Sequence, residues 1–346
     1  EQKLIDQLVY GDSQWTYRAD LKTEEDLWNN FRYILEQNNK DRLNGEPLSD
    51  TEFEQVKNQL QFSSFYKAGE WLVGENGKVM VHVQRDTERL HLVVMNHEHI
   101  AGGSSVYEVI NQYRALADEE SQTKAQDRRF DVTLMINGLP MIHIELKNKQ
   151  HSYMDGFWQI KKYIGEGKFT GIFSAVQMFV ISNGVDTKYF ANSDRDLMYS
   201  LAFFWTDFNN VRITNLKDFS ISFLARDHII KMLTRYTILN DTDKILMVMR
   251  PYQVYAVEAL IRQATLTNRN AYIWHTTGAG KTLTSFKTAQ ILAANPNIKK
   301  VIFLVDRKDL DSQTTEEFNK FEAGSVDVTD RTDVLVRQMK DKNRQL

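Results

Sequence analysis

The sequence contains no cysteine, which excludes disulfide bonds and thiolate metal sites. It also lacks an uninterrupted apolar run of about 18 residues, the length that a membrane-spanning helix needs. No signal peptide is visible, so we expect a cytoplasmic protein. The formal net charge of −3 argues against a uniformly basic nucleic-acid-binding surface but allows a local basic groove.

Linkers rich in proline, glycine or serine are absent as well, although 346 residues exceed the length of one ordinary domain. We predict two closely packed domains, residues 1–240 and 241–346, with the boundary between 235 and 245. The chain begins at Glu1 without a methionine and stops at Leu346 within a charged, helix-like run, so we expect a fragment.

Hydrophobic periodicity predicts the secondary structure of the first domain. The predicted helices are residues 1–10, 24–37, 50–60 and 154–164, and the predicted strands are residues 71–73, 79–83, 90–95, 178–182 and 188–191. Helices from about Leu216 to Leu239 complete the domain. Helices followed by a β-meander indicate an α+β domain built around a central sheet.

The chemical centre of this domain is the stretch from Asp131 to Lys147. Two β-rich runs are separated by Asn137-Gly138, a strong signal for a hairpin turn. Side chains alternate between two faces along the second strand. The apolar ones, expected in the core, are Ile142, Ile144 and Leu146. The polar ones, expected outside the core, are His143, Glu145 and Lys147.

The length of the turn decides whether Asp131 reaches Glu145. A strict two-residue turn at 137–138 would set Asp131 opposite Ile144, on the core face. A longer loop or a bulge would shift the register and bring Asp131 to Glu145. Because Pro140 cannot donate a hydrogen bond to the ladder, we predict the longer loop.

Asp131, Glu145 and Lys147 together indicate metal-dependent phosphate chemistry. Two neighbouring carboxylates repel each other, and Mg²⁺, which prefers hard oxygen ligands, removes that repulsion. Lys147 could activate a water or stabilise charge that develops on a phosphate. A bare Glu-x-Lys is more often part of a solvated strand, and it is the nearby Asp131 that favours the catalytic interpretation.

The predicted helix after the hairpin adds two polar side chains. Gln159 and Tyr163 stand at i and i+4, on one helical face. We expect both to contact a DNA backbone phosphate next to the metal, with positive charge nearby from Lys161, Lys162 and Lys168. The alternative is a polar helix edge with a buried tyrosine.

A nucleotide-binding pattern characterises the second domain. A predicted apolar strand, residues 271–274, leads into a loop with Gly278 and Gly280, and Lys281-Thr282 opens a helix, which is the order of parts in a P-loop. Loop N–H groups would wrap the phosphates of ATP, Lys281 would reach the β- and γ-phosphates, and Thr282 would bind Mg²⁺. The loop departs from the pattern at one point, since a histidine occupies the place of the first glycine.

A second element precedes this loop. The tetrapeptide Arg250-Pro-Tyr-Gln253 alone indicates only a proline at a helix start. Beside a P-loop it resembles the adenine-reading element of superfamily 2 helicases, in which the Gln253 amide would pair with the adenine edge. The expected ATP contacts are Arg250, Gln253, Thr277, Gly278, Ala279, Gly280, Lys281 and Thr282.

The order of these elements resembles the restriction (R) subunit of type I restriction-modification enzymes. The hairpin with Asp131 and Ile144-Glu-Leu-Lys147 resembles the core of PD-(D/E)xK nucleases, and the later motifs resemble a superfamily 2 motor. Further matching stretches are Phe179-Val-Ile-Ser-Asn-Gly, Tyr189-Phe-Ala-Asn and Val305-Asp-Arg-Lys-Asp-Leu-Asp. The resemblance covers the chain from roughly residue 130 onward.

The resemblance implies a PD-(D/E)xK nuclease-like α+β domain followed by a RecA-like P-loop domain that is truncated. It implies ATP-driven translocation of double-stranded DNA and Mg²⁺-dependent cleavage away from the recognition site, together with methylase (M) and specificity (S) subunits. A predicted strand at 300–305 leads into a loop that would contact DNA. No DEAD-like Walker B run or second motor lobe appears before Leu346. We therefore expect this chain to bind ATP–Mg²⁺ without turning it over.

Two other interpretations stay open. The chain could belong to a nuclease-helicase of another system, such as a type III restriction enzyme or a DNA repair enzyme. It could also be a DNA-binding assembly module with a degenerate nuclease, although the intact pair of carboxylates argues against this. Glu1 lies in an amphipathic helix where the family often has a supporting glutamate, and the residues alone leave its role, and that of residues 11–100, undecided.

Overall fold

The computed structural model describes residues 1–74, 77–96, 105–116, 127–267, 269–304, 308–322 and 332–340. The chain divides into two compact units. Unit 1 consists of Glu1–Trp205 and Arg212–Thr234, and unit 2 of Thr206–Val211 and Arg235–Leu346. Within the described ranges, no helix combines the length and the apolar character that a membrane span requires.

Unit 1 begins with helices and one short strand. These elements are α1 (Gln2–Tyr10), β1 (Thr16–Tyr17), α2 (Glu24–Asn38), α3 (Asp50–Gln59) and α4 (Phe65–Val73). The first three helices confirm the predicted segments. The strand predicted at 71–73 is wrong, because these residues form the last turn of α4. A short apolar run has no periodicity of its own that separates a strand from a helix end.

A two-stranded hairpin follows, formed by β2 (Lys78–Arg85) and β3 (Glu88–Asn96), as predicted. Amide side chains cover the backbone at both of its edges. Gln59 accepts from His82 N at 2.9 Å and donates to His82 O at 2.6 Å. Asn39 accepts from Val93 N at 2.8 Å and donates to Val93 O at 2.9 Å. Because open strand edges invite pairing with other chains, these contacts protect the hairpin.

The central sheet of unit 1 is mixed. It adds β4 (Tyr107–Ala115), β5 (Arg128–Ile136), β6 (Leu139–Leu146), β7 (Met178–Ser182) and β8 (Thr187–Ala191) to β1. The strand order is β1-β4-β5-β6-β7-β8, with parallel pairing of β1 with β4 and of β6 with β7. The predicted strands at 178–182 and 188–191 are therefore confirmed, within one residue at their ends.

The turn between β5 and β6 is shorter than we predicted. Ile136 pairs with Leu139, which leaves only Asn137 and Gly138 in the turn, with positive φ angles of 50° and 80°. This is the geometry of a two-residue hairpin turn, so the longer loop is wrong. The turn also packs on α2, since a Cβ added to Gly138 would lie 2.7 Å from the Cα of Phe31.

A β-bulge in β6 supplies the register shift instead. One residue of β6 between Pro140 and Ile142 has no partner on β5. Beyond this extra residue the register moves by one position, and Asp131 comes to stand opposite Glu145 rather than on the core face. The bulge directly follows Pro140, which has no N–H to give to the ladder.

His143 and Glu145 are buried, so the expectation that they lie outside the core is wrong, whereas Lys147 stays partly exposed. Helix α5 (Met154–Gly165), at the predicted position, connects β6 to the parallel β7 and packs on both. Gly156 permits this close approach, because a Cβ there would lie 3.3 Å from Ile181 and 3.5 Å from Glu145. His143 and Glu145 are consequently 0% exposed.

The last elements of unit 1 are α6 (Leu216–Ser222) and α7 (Arg226–Thr234), and a short ladder of β9 (Trp205–Thr206) and β10 (Arg212–Ile213) precedes them. The prediction of helices in this region is confirmed as far as Thr234. It is wrong at Leu239, which lies in a strand of unit 2.

Unit 2 contains one antiparallel hairpin, β11 (Thr237–Asn240) with β12 (Ile245–Val248), among its described residues. Its helices there are α8 (Pro251–Leu266), α9 (Lys281–Ala293), α10 (Lys308–Phe321) and α11 (Thr332–Lys340). Phe286 of α9 packs on two rings of α10, 5.3 Å from Phe318 and 5.1 Å from Phe321 between ring centroids.

The strands predicted at 271–274 and 300–305 are wrong as far as the structure describes them, and residues 305–307 lie outside the described residues. Tyr272, Trp274 and Leu304 are 84%, 89% and 92% exposed. A parallel strand needs neighbouring strands and helices on both faces. The described part of unit 2 offers these two segments no β partner.

A buried lysine gives unit 2 a distinctive pH dependence. Lys287 is 7% exposed and donates to Thr237 O at 3.0 Å and to Gln290 Oε1 at 2.9 Å. Burial lowers the pKa of its ammonium from 10.5 to about 8. Between about pH 8 and pH 10.5 the unfolded chain therefore binds more protons than the folded protein. The free energy of unfolding should consequently rise by about 3 kcal/mol as the pH increases across this range.

Denaturant unfolding of the protein and of Lys287→Met between pH 7.5 and 10.5 measures this contribution. The difference in the free energy of unfolding between the protein and Lys287→Met should change by about 3 kcal/mol across this pH range. The control Lys299→Met, at an exposed lysine, should show the same pH dependence as the parent protein. Parallel pH curves for the parent and Lys287→Met would refute the assignment.

Candidate active site

Asp131 and Glu145 face each other across β5 and β6. Asp131 Oδ2 accepts a hydrogen bond from Leu146 N at 2.8 Å, which fixes its carboxylate beside the end of β6. Burial, followed by the negative charge of Glu145, raises the pKa of Asp131 to about 7. Asp131 therefore holds a proton in part of the molecules near neutral pH, as expected for two carboxylates that share one site.

Glu145 has cationic and polar partners that Asp131 lacks. Lys147 Nζ donates to Glu145 Oε1 at 2.9 Å, and His143 Nε2 lies 3.3 Å from Glu145 Oε2. Burial by itself would raise the pKa of Glu145, but the interactions with His143 and Lys147 bring this pKa below its ordinary value. Of the two carboxyl groups, Glu145 is thus the one that stays ionised.

Lys147 is held from two sides. Besides its bond to Glu145, its Nζ donates to Gln159 Oε1, and Gln159 Nε2 in turn donates to Tyr163 OH. The side chain of Lys147 is 19% exposed, so its ammonium is still within reach of solvent. This chain of contacts joins the four predicted catalytic residues Glu145, Lys147, Gln159 and Tyr163.

Tyr163 is buried, as the alternative interpretation of α5 expected. It is 5% exposed, and its ring lies 5.6 Å from the ring of Phe130. Burial, followed by the charge of Glu145, raises the pKa of Tyr163 to about 12, so the hydroxyl keeps its proton at neutral pH. In this structure Gln159 and Tyr163 orient Lys147, and contact with a DNA phosphate remains a prediction.

The three lysines expected to add positive charge near the site differ in their surroundings. Lys168, which follows α5, is 6% exposed and donates to Leu116 O at 2.8 Å, so its ammonium is used within the protein. Lys161 pairs with Asp196 at 2.6 Å, whereas Lys162 is exposed.

His143 is a site residue to which the sequence analysis assigned no role. Its ring is fully buried, 4.7 Å from the ring of Phe130, and its Nδ1 lies 3.4 Å from Thr133 Oγ1. Its position two residues before Glu145 in a strand was the available signal, because this spacing places both side chains on one face.

Glu1 also belongs to this neighbourhood. Its negative charge contributes to the raised pKa of Asp131, after burial and Glu145. Its carboxylate accepts from Gln112 Nε2 at 2.5 Å and from Asn111 Nδ2 at 3.4 Å. Neither amide was singled out in the sequence.

The donor set fits a hard divalent cation. Across the described residues, no three or more histidine, aspartate or glutamate side chains form a group that could hold a metal ion. Mg²⁺ keeps several waters, however, and commonly binds proteins through one or two carboxylates. Asp131 and Glu145 provide that number, and a cation would offset the burial and the repulsion from Glu145 that together raise the pKa of Asp131.

The glycine loop of unit 2 has left-handed glycines followed by a helix, which are two features of a P-loop. Gly278 and Gly280 have left-handed φ angles of 77° and 74°, and α9 begins directly after the second of them. Lys281 is exposed in the first turn of α9 beside the half-buried Thr282, and Thr277 is exposed in the loop. Helix N-termini attract anions, and the residues predicted to bind phosphate lie at such an N-terminus.

The tetrapeptide Arg250-Pro-Tyr-Gln253 meets this loop in space. Tyr252 OH and Gln253 Nε2 both donate to Ala279 O, at 3.0 and 3.2 Å. Gln253 Oε1 also accepts a hydrogen bond from Arg250 N at 3.0 Å. Arg250 is the residue just before α8, so the Gln253 side chain caps the start of this helix. The Gln253 amide is thus used within the protein, and pairing with adenine would require it to exchange these partners.

Comparison with known proteins agrees with both motif regions. The family model for the type I restriction enzyme R protein N terminus matches residues 1–197, and the model for the SWI2/SNF2 ATPase matches residues 252–346.

Relatives in several bacteria carry corresponding names. The type I restriction enzyme endonuclease subunit of Staphylococcus saprophyticus is 46% identical to this chain over 93% of the chain and 33% of its own length. The corresponding subunit of Staphylococcus aureus is 46% identical over 94% of the chain and 34% of its own length. The Escherichia coli EcoprrI endonuclease subunit is 37% identical over 44% of the chain and 48% of its own length. The chain thus spans about a third of the length of the staphylococcal relatives. The family model for the R protein N terminus covers more than half of this chain, so this protein belongs to the family of type I restriction enzyme R proteins.

Proposed function

We propose that this chain is the N-terminal part of an R subunit that translocates double-stranded DNA with ATP and cleaves it with Mg²⁺. The observation that carries the proposal is the pair Asp131 and Glu145, with Lys147 held beside it by hydrogen bonds. We assign residues 1–240 to a PD-(D/E)xK-type nuclease domain and residues 241–346 to the beginning of a RecA-like motor domain.

Asp131 and Glu145 would hold the cation. When bound, Mg²⁺ supplies positive charge that neutralises the scissile phosphate and polarises the attacking water. Glu145, already ionised, is ready to bind it, whereas Asp131 has to release its residual proton. The ammonium of Lys147 adds a second positive charge at the same place, where it would stabilise the developing charge on the phosphate.

Gln159 and Tyr163 support this chemistry through Lys147. Gln159 accepts from the ammonium and so restricts its position, and the Tyr163 hydroxyl fixes the Gln159 amide. A positioned ammonium stabilises the transition state more than a mobile one, because the free protein already holds it in the orientation that the reaction needs. Both residues sit on α5, whose exposed Lys162 would contribute to DNA binding.

The motor site would bind ATP–Mg²⁺. We propose phosphate contacts from the loop Thr277, Gly278, Ala279 and Gly280, with Lys281 at the β- and γ-phosphates and Thr282 on Mg²⁺. Arg250 and Gln253 would contact the adenine side. Hydrolysis needs a carboxylate and further positive charge that none of these residues supplies. Binding without turnover is therefore expected of residues 1–346.

The partners would be double-stranded DNA and the M and S subunits of the restriction complex. The names of the staphylococcal relatives support a type I system over a type III or repair enzyme. The intact carboxylate pair supports an active nuclease over a degenerate assembly module, since two repelling carboxylates have no stabilising value of their own.

Asp131→Asn and Glu145→Gln should each reduce DNA cleavage by at least about 100-fold, because each removes a charged metal ligand while keeping the shape of the side chain. ATP hydrolysis by the full-length subunit in its complex should be unchanged. Lys147→Met should reduce cleavage equally but leave metal binding intact. Plasmid cleavage and phosphate release measure both activities, with the exposed Asp155→Asn as control. Parental cleavage by any of the three site variants would overturn the nuclease assignment.

Tyr163→Phe should lower cleavage by roughly tenfold with little change in melting temperature, because only the hydroxyl that accepts from Gln159 is lost. Gln159→Ala should lower it further, since it frees Lys147 directly. Cleavage per folded molecule and thermal unfolding are measured together. Unchanged cleavage alongside a reduced melting temperature would assign both residues to the core alone.

Residues 1–346 should bind ATP–Mg²⁺ weakly in a calorimetric titration, and Lys281→Ala should abolish the binding that can be measured, because the ammonium contacts two phosphates. Lys299→Ala, an exposed lysine outside the loop, should bind like the parent. Phosphate release should stay at background with or without DNA. Robust turnover by this chain would contradict the view that its loop belongs to a two-lobed motor.

A further inference from the structure

His143 lies among aromatic rings although its own ring carries two polar nitrogens. Its ring centroid is 4.7 Å from that of Phe130, 5.6 Å from that of Phe169 and 6.3 Å from that of Phe179. A large apolar side chain would fill such a place equally well, and a buried polar side chain costs free energy unless it is hydrogen-bonded. The two nitrogens of His143 therefore indicate a role beyond packing.

Both nitrogens have a partner, and the chemistry of Glu145 decides which of them carries a hydrogen. Nε2 lies 3.3 Å from Glu145 Oε2, and Nδ1 lies 3.4 Å from Thr133 Oγ1. Because the ionised Glu145 carboxylate only accepts hydrogen bonds, Nε2 is the donor in the first contact. In the neutral ring Nδ1 is then an acceptor, and the Thr133 hydroxyl donates to it.

The β-bulge of β6 brings Thr133 to this ring. Thr133 pairs with His143 in the ladder beyond the bulge, whereas the unshifted register of the two-residue turn would set it opposite Ile142. The shift that places Asp131 opposite Glu145 thus also gives His143 its second partner. Thr133 is 1% exposed, so its hydroxyl is shielded from bulk water.

The Glu145 carboxylate is consequently held from two sides. Oε1 accepts from Lys147 Nζ at 2.9 Å, and Oε2 accepts from the His143 ring. A carboxylate held at one oxygen can still turn about its last side-chain bond, whereas one held at both oxygens keeps its plane. Each oxygen has a second lone pair, so these two contacts leave acceptor capacity for a cation.

We propose that His143 is a positioning residue: its Nε2–H holds the Glu145 carboxylate in the orientation that binds the divalent cation, and Thr133 orients the imidazole. The inference rests on the proposed function, because it assumes that Glu145 is a ligand of this cation. Side chains that donate to a metal-binding carboxylate raise metal affinity, because they fix the ligand before the metal binds. In this arrangement His143 acts on the cation only through Glu145.

Two substitutions at position 143 separate positioning from packing. His143→Gln keeps an N–H donor at the end of the side chain, whereas His143→Leu keeps the volume and loses the donor. For positioning, glutamine is the better replacement. For packing among aromatic rings, leucine is the better one, since it buries no polar group. His228→Leu is the control, because His228 of α7 also packs on aromatic rings, 4.7 Å from Trp205 and 5.4 Å from Phe223.

Binding of Mn²⁺ to the full-length R subunit without nucleotide is measured from the electron paramagnetic resonance signal of the free ion. Affinity should fall about tenfold in His143→Leu, and His143→Gln should recover it to within about threefold of the parent. The Mg²⁺ concentration for half-maximal plasmid cleavage should rise in the same proportions. His228→Leu should bind Mn²⁺ like the parent.

Thr133→Val keeps the test decisive if His143→Leu fails to fold. It exchanges a hydroxyl for a methyl group of similar size, so affinity should fall about threefold. In the His143→Gln background the same change should have no effect, since the glutamine side chain has no counterpart of Nδ1 and Thr133 acts only through the imidazole.

Two results would overturn this inference alone, each with Mn²⁺ binding lost in Asp131→Asn. One is stronger binding in His143→Leu than in His143→Gln, which would assign the ring to packing. The other is parental affinity in both His143→Leu and Thr133→Val. Parental affinity in Asp131→Asn and Glu145→Gln would instead overturn the proposed metal site itself.

Discussion

One extra residue in β6 determines the geometry of the candidate nuclease site. Without the bulge after Pro140, the two-residue turn would pair Asp131 with Ile144 and direct its carboxylate into the core. With the bulge, Asp131 faces Glu145 and accepts a hydrogen bond from the Leu146 N–H. The tight turn and the bulge are complementary: the turn packs closely on α2, and the bulge corrects the register that so short a turn imposes.

Burial under α5 then makes the two carboxylates unequal. Glu145 lies in contact with Lys147 and His143, which favour its charged form, whereas Asp131 accepts a hydrogen bond from the Leu146 N–H and has a pKa of about 7. A site of this kind is incomplete in electrostatic terms, because its negative charge is only partly balanced by neighbouring cations. That imbalance is the physical basis on which we propose metal binding, and the negative charge of Glu1 adds to it.

In unit 2, tertiary contacts join two motifs that lie far apart in sequence. Tyr252 and Gln253 both bind Ala279 O, which connects the start of α8 to the loop before α9. Gln253 therefore has a structural role in addition to its expected contact with adenine. The segments flanking the loop form no strand in the described residues, so the geometry of the loop here depends on its glycines and on α8.

The sequence by itself was sufficient for the helices α1, α2, α3 and α5 and for the hairpin of β5 and β6, because helical and strand periods and turn residues are local signals. Family membership also followed from these residues. Only the tertiary structure decided the bulge in β6, the burial of Glu145 and the occupied amide of Gln253. Each of these depends on packing between segments distant in the chain, and no local pattern of residue types encodes such contacts.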